Sequence, residues 1–227
     1  MDNLEVLEDV AVNYVAFLAG LIGQASAAPP TLGPVLDFGA GVGTYAKMAR
    51  RSGFDVTCAE LDPGLRRRLA EDGFATTADV AAIEDGRFAF TYSFNVLEHI
   101  DDDLGALEEL LRVTAPGGRL LLYVPAFPLL YSRMDARVGH LRRYRGPALA
   151  DLVTRSGFCV QSWSYADSLG FPASLAYRLF GGGDLDRWSV GLYDRWAFPL
   201  SRRLDTAAER LFGKNVVLWA GRPDNGP

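Results

Sequence analysis

The chain has 227 residues, 49% of them hydrophobic and 22% charged, with a net charge of −5. That mix suits a soluble globular protein long enough to bury a sizeable core without disulfides or metals. The charge is uneven, 7 Lys/Arg against 19 Asp/Glu in residues 1–111 and 16 against 9 in residues 112–227, and so acidic a first half argues against broad nucleic-acid binding.

Apolar residues at helical spacing (Leu4, Leu7, Val10, Val15, Leu18, Ile22) predict a helix within residues 4–24. A small-residue, proline-rich connector follows over 25–34. Strands and helices then alternate: a strand at Val35–Phe38, a glycine-rich turn, a helix at Tyr45–Ser52, a strand at Phe54–Ala59 and a helix at Leu65–Glu71 with Pro63 in its first turn. A weak strand at Gly73–Thr77 precedes a stronger one at Phe88–Phe94. Asp101–Asp103 suit the start of a helix over Leu104–Val113. Pro116-Gly117-Gly118 reads as a turn before the strongly apolar strand Leu120–Val124. Residues 125–146 lack periodicity and are dense in Arg, Tyr and Pro, the pattern of a lid. A helix over Pro147–Ser156 and a strand over Phe158–Ser162 come next. Residues 168–212 read as a mostly helical insertion broken at Gly181-Gly182-Gly183, and Asn215–Ala220 as the last strand. Such alternation implies βαβ units on a parallel sheet within one domain spanning 1–227, with 1–30 an N-terminal helix and connector and 31–124 the nucleotide-binding core.

The run Val35-Leu36-Asp37-Phe38-Gly39-Ala40-Gly41-Val42-Gly43 ends a buried strand in three alternating glycines. In an open parallel sheet, the crevice at the strand ends is where ligands bind. The spacing departs from the dinucleotide fingerprint GxGxxG, because Thr44 stands where the third glycine would be. Glu60, about twenty residues on at the end of the second strand, can accept hydrogen bonds from ribose hydroxyls in either kind of nucleotide site. Asp62 suits the cap of the helix that begins at Pro63.

Asn95-Val96-Leu97-Glu98-His99-Ile100 follows the fourth strand, and Ala115-Pro116-Gly117-Gly118-Arg119-Leu120 precedes the fifth. Together with the glycine-rich run, these resemble the successive motifs of class I S-adenosylmethionine-dependent methyltransferases over roughly residues 30–165. Asn13-Tyr14, Gly139-His140-Leu141-Arg142-Arg143-Tyr144 and the closing Phe212-Gly213-Lys214-Asn215-Val216-Val217-Leu218 resemble a bacterial and archaeal subgroup with a GHxRRY segment. That subgroup often has Tyr-x-Asn where this chain has Tyr165-Ala166-Asp167. The resemblance implies a Rossmann-like α/β fold, a seven-stranded mostly parallel sheet with helices on both faces and a helical insertion before the last strand. It also implies S-adenosylmethionine as cofactor. Gly39, Gly41 and Gly43 would shape the methionine and ribose pocket, Asp37 would help hold the methionine end, Glu60 would bind the ribose, Asp79 would sit near the adenine, and Leu61 and Val80 would be further cofactor contacts. Asn95 would line the pocket near the sulfonium.

On the acceptor side the candidates are His140 and Tyr144 as catalytic groups and Tyr14, Tyr131, Arg142 and Arg143 as acceptor contacts, the arginines suited to a phosphate or carboxylate. The competing expectation is that Arg142 and Arg143 pair with acids and Tyr144 packs. His99 is either a pocket-lining group or a base. The acceptor expected is a small molecule or a lipid-linked one. Phe171, Leu175, Leu179 and Phe180 would form an apolar wall, with Trp188, Tyr193 and Trp196 adding aromatic surface. All four tryptophans lie in the basic half, which suits an anionic substrate or peripheral membrane contact, or equally a set of core tryptophans. An NAD-dependent oxidoreductase and a non-catalytic binding module on the same fold are the alternatives.

Met1–Asp9 lacks the basic stretch of a secretory signal, and no run reaches the ~18 apolar residues of a membrane span, so a cytoplasmic protein is expected. Cys58 and Cys159 sit in apolar strand-like runs and are expected as reduced core thiols. Two cysteines and two histidines, scattered along the chain, predict no metal site.

Overall fold

A computed structural model describes residues 10–26, 33–180 and 187–224. In chain order the elements are α1 (Val12–Ser26), β1 (Val35–Phe38), α2 (Thr44–Arg51), β2 (Val56–Ala59), α3 (Pro63–Glu71), β3 (Ala75–Thr77), β4 (Phe88–Phe94), α4 (Asp103–Val113), β5 (Thr114–Pro125), α5 (Arg133–Arg137), α6 (Gly146–Arg155), β6 (Cys159–Ala166), α7 (Gly170–Phe180), α8 (Arg187–Leu192), α9 (Phe198–Ala208) and β7 (Asn215–Gly221). A π turn, Tyr193–Ala197, joins α8 to α9. The expected helix start at Leu4 and Leu7, part of the connector and the three consecutive glycines lie outside the described residues.

The seven strands form one sheet in the order β3-β2-β1-β4-β5-β7-β6, parallel except for β7, which runs against both its neighbours. Side chains of β5 and β7 alternate between the faces. Leu121, Tyr123, Val217 and Trp219 pack on one side with α1 and α2, while Leu120, Leu122, Val216 and Leu218 pack on the other with α4 and α6. Period-2 alternation with both faces apolar is what a doubly covered sheet needs. Each fully buried leucine contributes about 1.5–3 kcal/mol by leaving water.

The local start signals act as the sequence predicts. Asp62 caps α3 by accepting from the N–H groups of Gly64 (2.8 Å) and Leu65 (2.9 Å). Asp102 caps α4 through Gly105 N–H at 2.9 Å. Three expectations change. The Pro116–Gly118 turn is a bulge inside β5, where the pairing with β4 jumps from Phe88↔Thr114 to Phe90↔Arg119. The glycine at positive φ (Gly117, 72°) absorbs the extra residues without ending the strand. Residues 125–146 are not structureless: they carry the 3₁₀ turn Pro128–Leu130 and α5, too short for a periodic signal. Cys58 is buried, but Cys159 is exposed at the start of β6, so only one thiol belongs to the core.

The insertion is tied to α1 by one carboxylate. Asp194, buried in the π turn, accepts from the backbone N–H of Asn13 and of Tyr14, each at 2.8 Å. These are second- and third-position donors of α1, which have no partner within their own helix. Asp194 is therefore an N-cap supplied from 181 residues away. Asp194→Ala is expected to lower the unfolding free energy by about 1–2 kcal/mol in urea, near the upper end for a lost cap because the site is buried.

Candidate active site

The crevice opens at the carboxyl ends of β1, β2 and β4, where the strand order reverses between β1 and β4. After β1 the backbone takes φ +82° at Gly39 and +56° at Gly41. A Cβ on Gly39 would lie 2.2 Å from Val96 Cγ2, so only glycine lets the β1 and β4 loops meet. A Cβ on Gly41 would meet nothing within 4 Å, which leaves the backbone there open to a ligand. Gly43 is the N-cap of α2.

Glu60 accepts from Gly41 N–H (2.8 Å) through one carboxylate oxygen and from Asp62 N–H (2.9 Å) through the other. The carboxylate is thus held at the lip of the glycine turn, with lone pairs left for hydroxyl donors. Asp37 is buried at the end of β1 and accepts from Tyr92 Oη at 2.9 Å. Asp79 caps the short turn holding Val80, accepting from Ala81 N–H at 2.8 Å. Leu61 projects into solvent beside Glu60. Asn95 follows β4 at φ +53°, a conformation asparagine tolerates better than most residues. Its Nδ2 donates to Tyr14 Oη at 3.0 Å. Tyr14 comes from α1 and packs edge-on against Tyr123 (5.9 Å) and Phe198 (5.7 Å). Burial holds its hydroxyl protonated, well above the usual tyrosine range. The structure thus sets the cofactor candidates at the carboxyl ends of β1 to β4, with Tyr14 joined to Asn95.

The segment 125–146 builds a second cluster. Asp135, fully buried, accepts from Arg143 Nε (2.7 Å) and Nη2 (3.1 Å), lies 2.8 Å from His140 Nδ1, and closes a capping box on Ser132. Burial alone would raise its carboxyl pKa, but the hydrogen bonds from His140 and Arg143 overcome this and hold it below the usual carboxylate range. His140 stacks edge-on against His99 at 4.8 Å. Its Nε2 lies 3.6 Å from Glu98, whose carboxyl burial pushes up to about 8.

The remaining candidates are engaged by the protein. Arg142 pairs with Asp103 (2.8 Å) and Arg143 with Asp135. Tyr144 is buried and its hydroxyl donates to Asp103 at 2.9 Å. Tyr131 donates to the His140 carbonyl at 2.7 Å. Sequence reasoning missed Glu98 as the floor of the histidine pair, although it stands inside the quoted Asn95–Ile100 motif. It also missed Asp194, for which no local signal exists. At Asp167, where the subgroup often carries asparagine, φ is +60° and the side chain accepts from Gly170 N–H at 3.1 Å. Asn and Asp share the ability to fill such a turn.

A family model described as a methyltransferase domain matches residues 11–162. The demethylmenaquinone methyltransferase of Paenarthrobacter aurescens is 37% identical over 168 residues, 66% of this chain and 66% of that protein. The ubiquinone biosynthesis O-methyltransferase of Xanthomonas oryzae pv. oryzae is 28% identical over 129 residues, 52% of this chain and 50% of that one. The matches thus span between half and two thirds of these relatives' own length. Among solved structures, an S-adenosylmethionine-dependent methyltransferase from Archaeoglobus fulgidus superposes with a TM-score of 0.62 at 13% identity, covering 92% of this chain and 94% of that one. Geranyl diphosphate C-methyltransferase from Streptomyces coelicolor superposes with 0.60 at 16% identity, covering 89% and 77%. At these identities the structural likeness is one of fold.

Removing Asp135 leaves the Arg143 guanidinium buried without its carboxylate. Asp135→Ala is expected to cost about 3–5 kcal/mol in chemical denaturation and to open residues 128–142 to limited proteolysis.

Proposed function

The chain belongs to the class I S-adenosylmethionine-dependent methyltransferase family, and on that premise we propose that it methylates an apolar small molecule with a polar or anionic head, met at a membrane surface. The observation that carries this reading is the surface of the insertion. Phe180 of α7 is 87% exposed, Trp188 of α8 74% and Trp196 of the π turn 66%, and the same three elements carry Arg178, Arg187 and Arg195. Aromatic and basic side chains together suit an anionic lipid interface. Among the described residues no helix is long and apolar enough to cross a membrane, so the contact would be peripheral.

When bound, S-adenosylmethionine supplies a methyl group on a sulfonium, open to in-line displacement. The residues around the crevice fit that group. The open backbone at Gly41 would receive it, the Glu60 carboxylate would accept from the ribose hydroxyls, and Asp37 would hold the methionine end. Asp79 would sit near the adenine, with Val80 and Leu61 beside it. Asn95, whose amide donates to Tyr14, would line the pocket near the sulfonium. Alignment of acceptor and methyl group is the main contribution expected of the protein, worth up to about 7–11 kcal/mol. A nucleophile that carries a proton also needs an acceptor for it, and the His140–Asp135 pair is the candidate, with His99 beside it. Arg142, Arg143, Tyr131 and Tyr144 hold the segment around His140 in shape.

The insertion leans on the reacting end. Phe198 of α9 packs on Tyr14, and Phe171 of α7 lies edge-on to Phe127 at 5.2 Å. An apolar acceptor tail lying along α7 and α9 would therefore lead to Asn95. The relatives named for menaquinone and ubiquinone biosynthesis, and the neighbour named for geranyl diphosphate, support an acceptor of that type.

The test is sedimentation with phosphatidylglycerol vesicles, followed by transfer of labelled methyl to a prenylated hydroxyaryl acceptor and to its unprenylated counterpart. The protein is expected to co-sediment, the double variant Trp188→Ser/Trp196→Ser to lose at least tenfold in vesicle affinity, and the label to enter the prenylated acceptor preferentially. Failure to bind vesicles together with equal methylation of both acceptors would refute the reading.

A further inference from the structure

Among the described residues, Glu98, His99 and His140 each offer one ligand atom, and these atoms all lie within 4.8 Å of one another. We propose that the three residues form a binding site for a divalent transition-metal ion of the zinc class. The sequence spacing hides such a site, because His140 is separated from the other two by the whole of α4, β5 and α5. The fold closes that gap with a backbone bond from Leu141 N–H to the Glu98 carbonyl at 2.8 Å.

Two independent features mark the cluster as built to hold a ligand. The first is the Glu98 side chain, which is fully buried and has no hydrogen-bond partner on either oxygen. Buried polar atoms are nearly always satisfied, and an orphan carboxylate in a native fold calls for a water or an ion. Its Oε1 lies 3.6 Å from His140 Nε2, beyond a hydrogen bond but close to the separation of two ligands on one metal. The second is the way the imidazoles are held. His140 Nδ1 lies 2.8 Å from Asp135 and His99 Nδ1 lies 3.2 Å from the Gly139 carbonyl. An acceptor oxygen on Nδ1 fixes its proton there and leaves Nε2 with its lone pair. This is how metal-ligating histidines are oriented.

Two imidazoles and one carboxylate suit zinc, cobalt, manganese or iron rather than magnesium or calcium, which favour oxygen donors alone. Three protein ligands leave at least one coordination position open. Glu98 forms the floor and His99 the exposed rim, so an ion has an entry path. Glu98 follows Asn95 by three residues on the loop that leaves β4, so the cluster sits close along the chain to the β4 side of the crevice. An ion bound here would occupy His140 Nε2, so His140 would not then serve as the proton acceptor; binding of the ion itself does not depend on which acceptor the protein methylates.

The test uses the untagged, chelator-treated full chain titrated with Co²⁺ and followed by visible absorption, then with Zn²⁺ as competitor. One Co²⁺ per chain is expected, giving d–d bands that Zn²⁺ abolishes. His140→Gln, His99→Gln and Glu98→Gln should each weaken binding at least tenfold, with thermal unfolding and circular dichroism checking that each variant is folded. Cys159→Ser, which removes the exposed thiol, should leave the spectrum unchanged. The proposal is overturned if wild-type protein takes up neither ion stoichiometrically. It is equally overturned if a folded His99→Gln/His140→Gln double variant binds Co²⁺ as wild type does. Because the readout is metal binding alone, neither outcome depends on methyl transfer.

Discussion

A parallel sheet whose strand order reverses between β1 and β4 has a gap at that point that no crossover fills, and the glycine turn and Asn95 lie on its two sides. Gly39 and Asn95 follow the two strands that flank the gap, and Glu60 ends the strand beside them. The loops approach closely because Gly39 has no side chain to strike Val96. Glu60 then fastens the glycine turn by accepting from Gly41. A ligand-ready carboxylate and an open backbone thus arise from the same few residues.

The proposed acceptor side rests on buried carboxylates that each gather several donors. Asp194 caps α1 and so sets Tyr14 against Asn95. Asp205 of α9 accepts from the N–H groups of Asp167 (3.0 Å) and Ser168 (2.8 Å), fixing the turn from which α7 departs. Asp135 gathers Ser132, His140 and Arg143 into one unit. Each satisfies several donors that burial would otherwise leave unpaired, so these loops and helices hold their positions without a large apolar core of their own. The aromatic side chains of the insertion that are not needed for packing remain exposed.

Legibility in the sequence followed the range of the interactions. The strands of the first half, the caps at Asp62 and Asp102 and the glycine turn are local features, and they were readable because period, turn chemistry and burial agree there. The ordered form of 125–146 was hidden because it rests on Asp135 and on short turns rather than on periodicity. The exposure of Trp188 and Trp196 could not be separated from core packing by composition, since an amphipathic helix and a buried one can carry the same residues. The histidine cluster was hidden for a different reason. His99 and His140 are far apart in the chain, and nothing in their spacing reports the return of the segment to the Glu98 loop. Arg142 pairs with an acid and Tyr144 packs, as the competing expectation had it, but their shared partner Asp103 lies 39 and 41 residues away, where no motif points.

The central claim is that the crevice between β1 and β4 holds an adenosyl cofactor through Glu60. The direct measurement is a calorimetric titration of wild type and Glu60→Ala with S-adenosylhomocysteine, with NAD as control. Wild type should bind one S-adenosylhomocysteine per chain and no NAD, and Glu60→Ala should lose at least about tenfold in affinity, the cost of charge-assisted hydrogen bonds to the ribose. Binding of NAD by wild type, or wild-type affinity for S-adenosylhomocysteine in Glu60→Ala, would contradict the account.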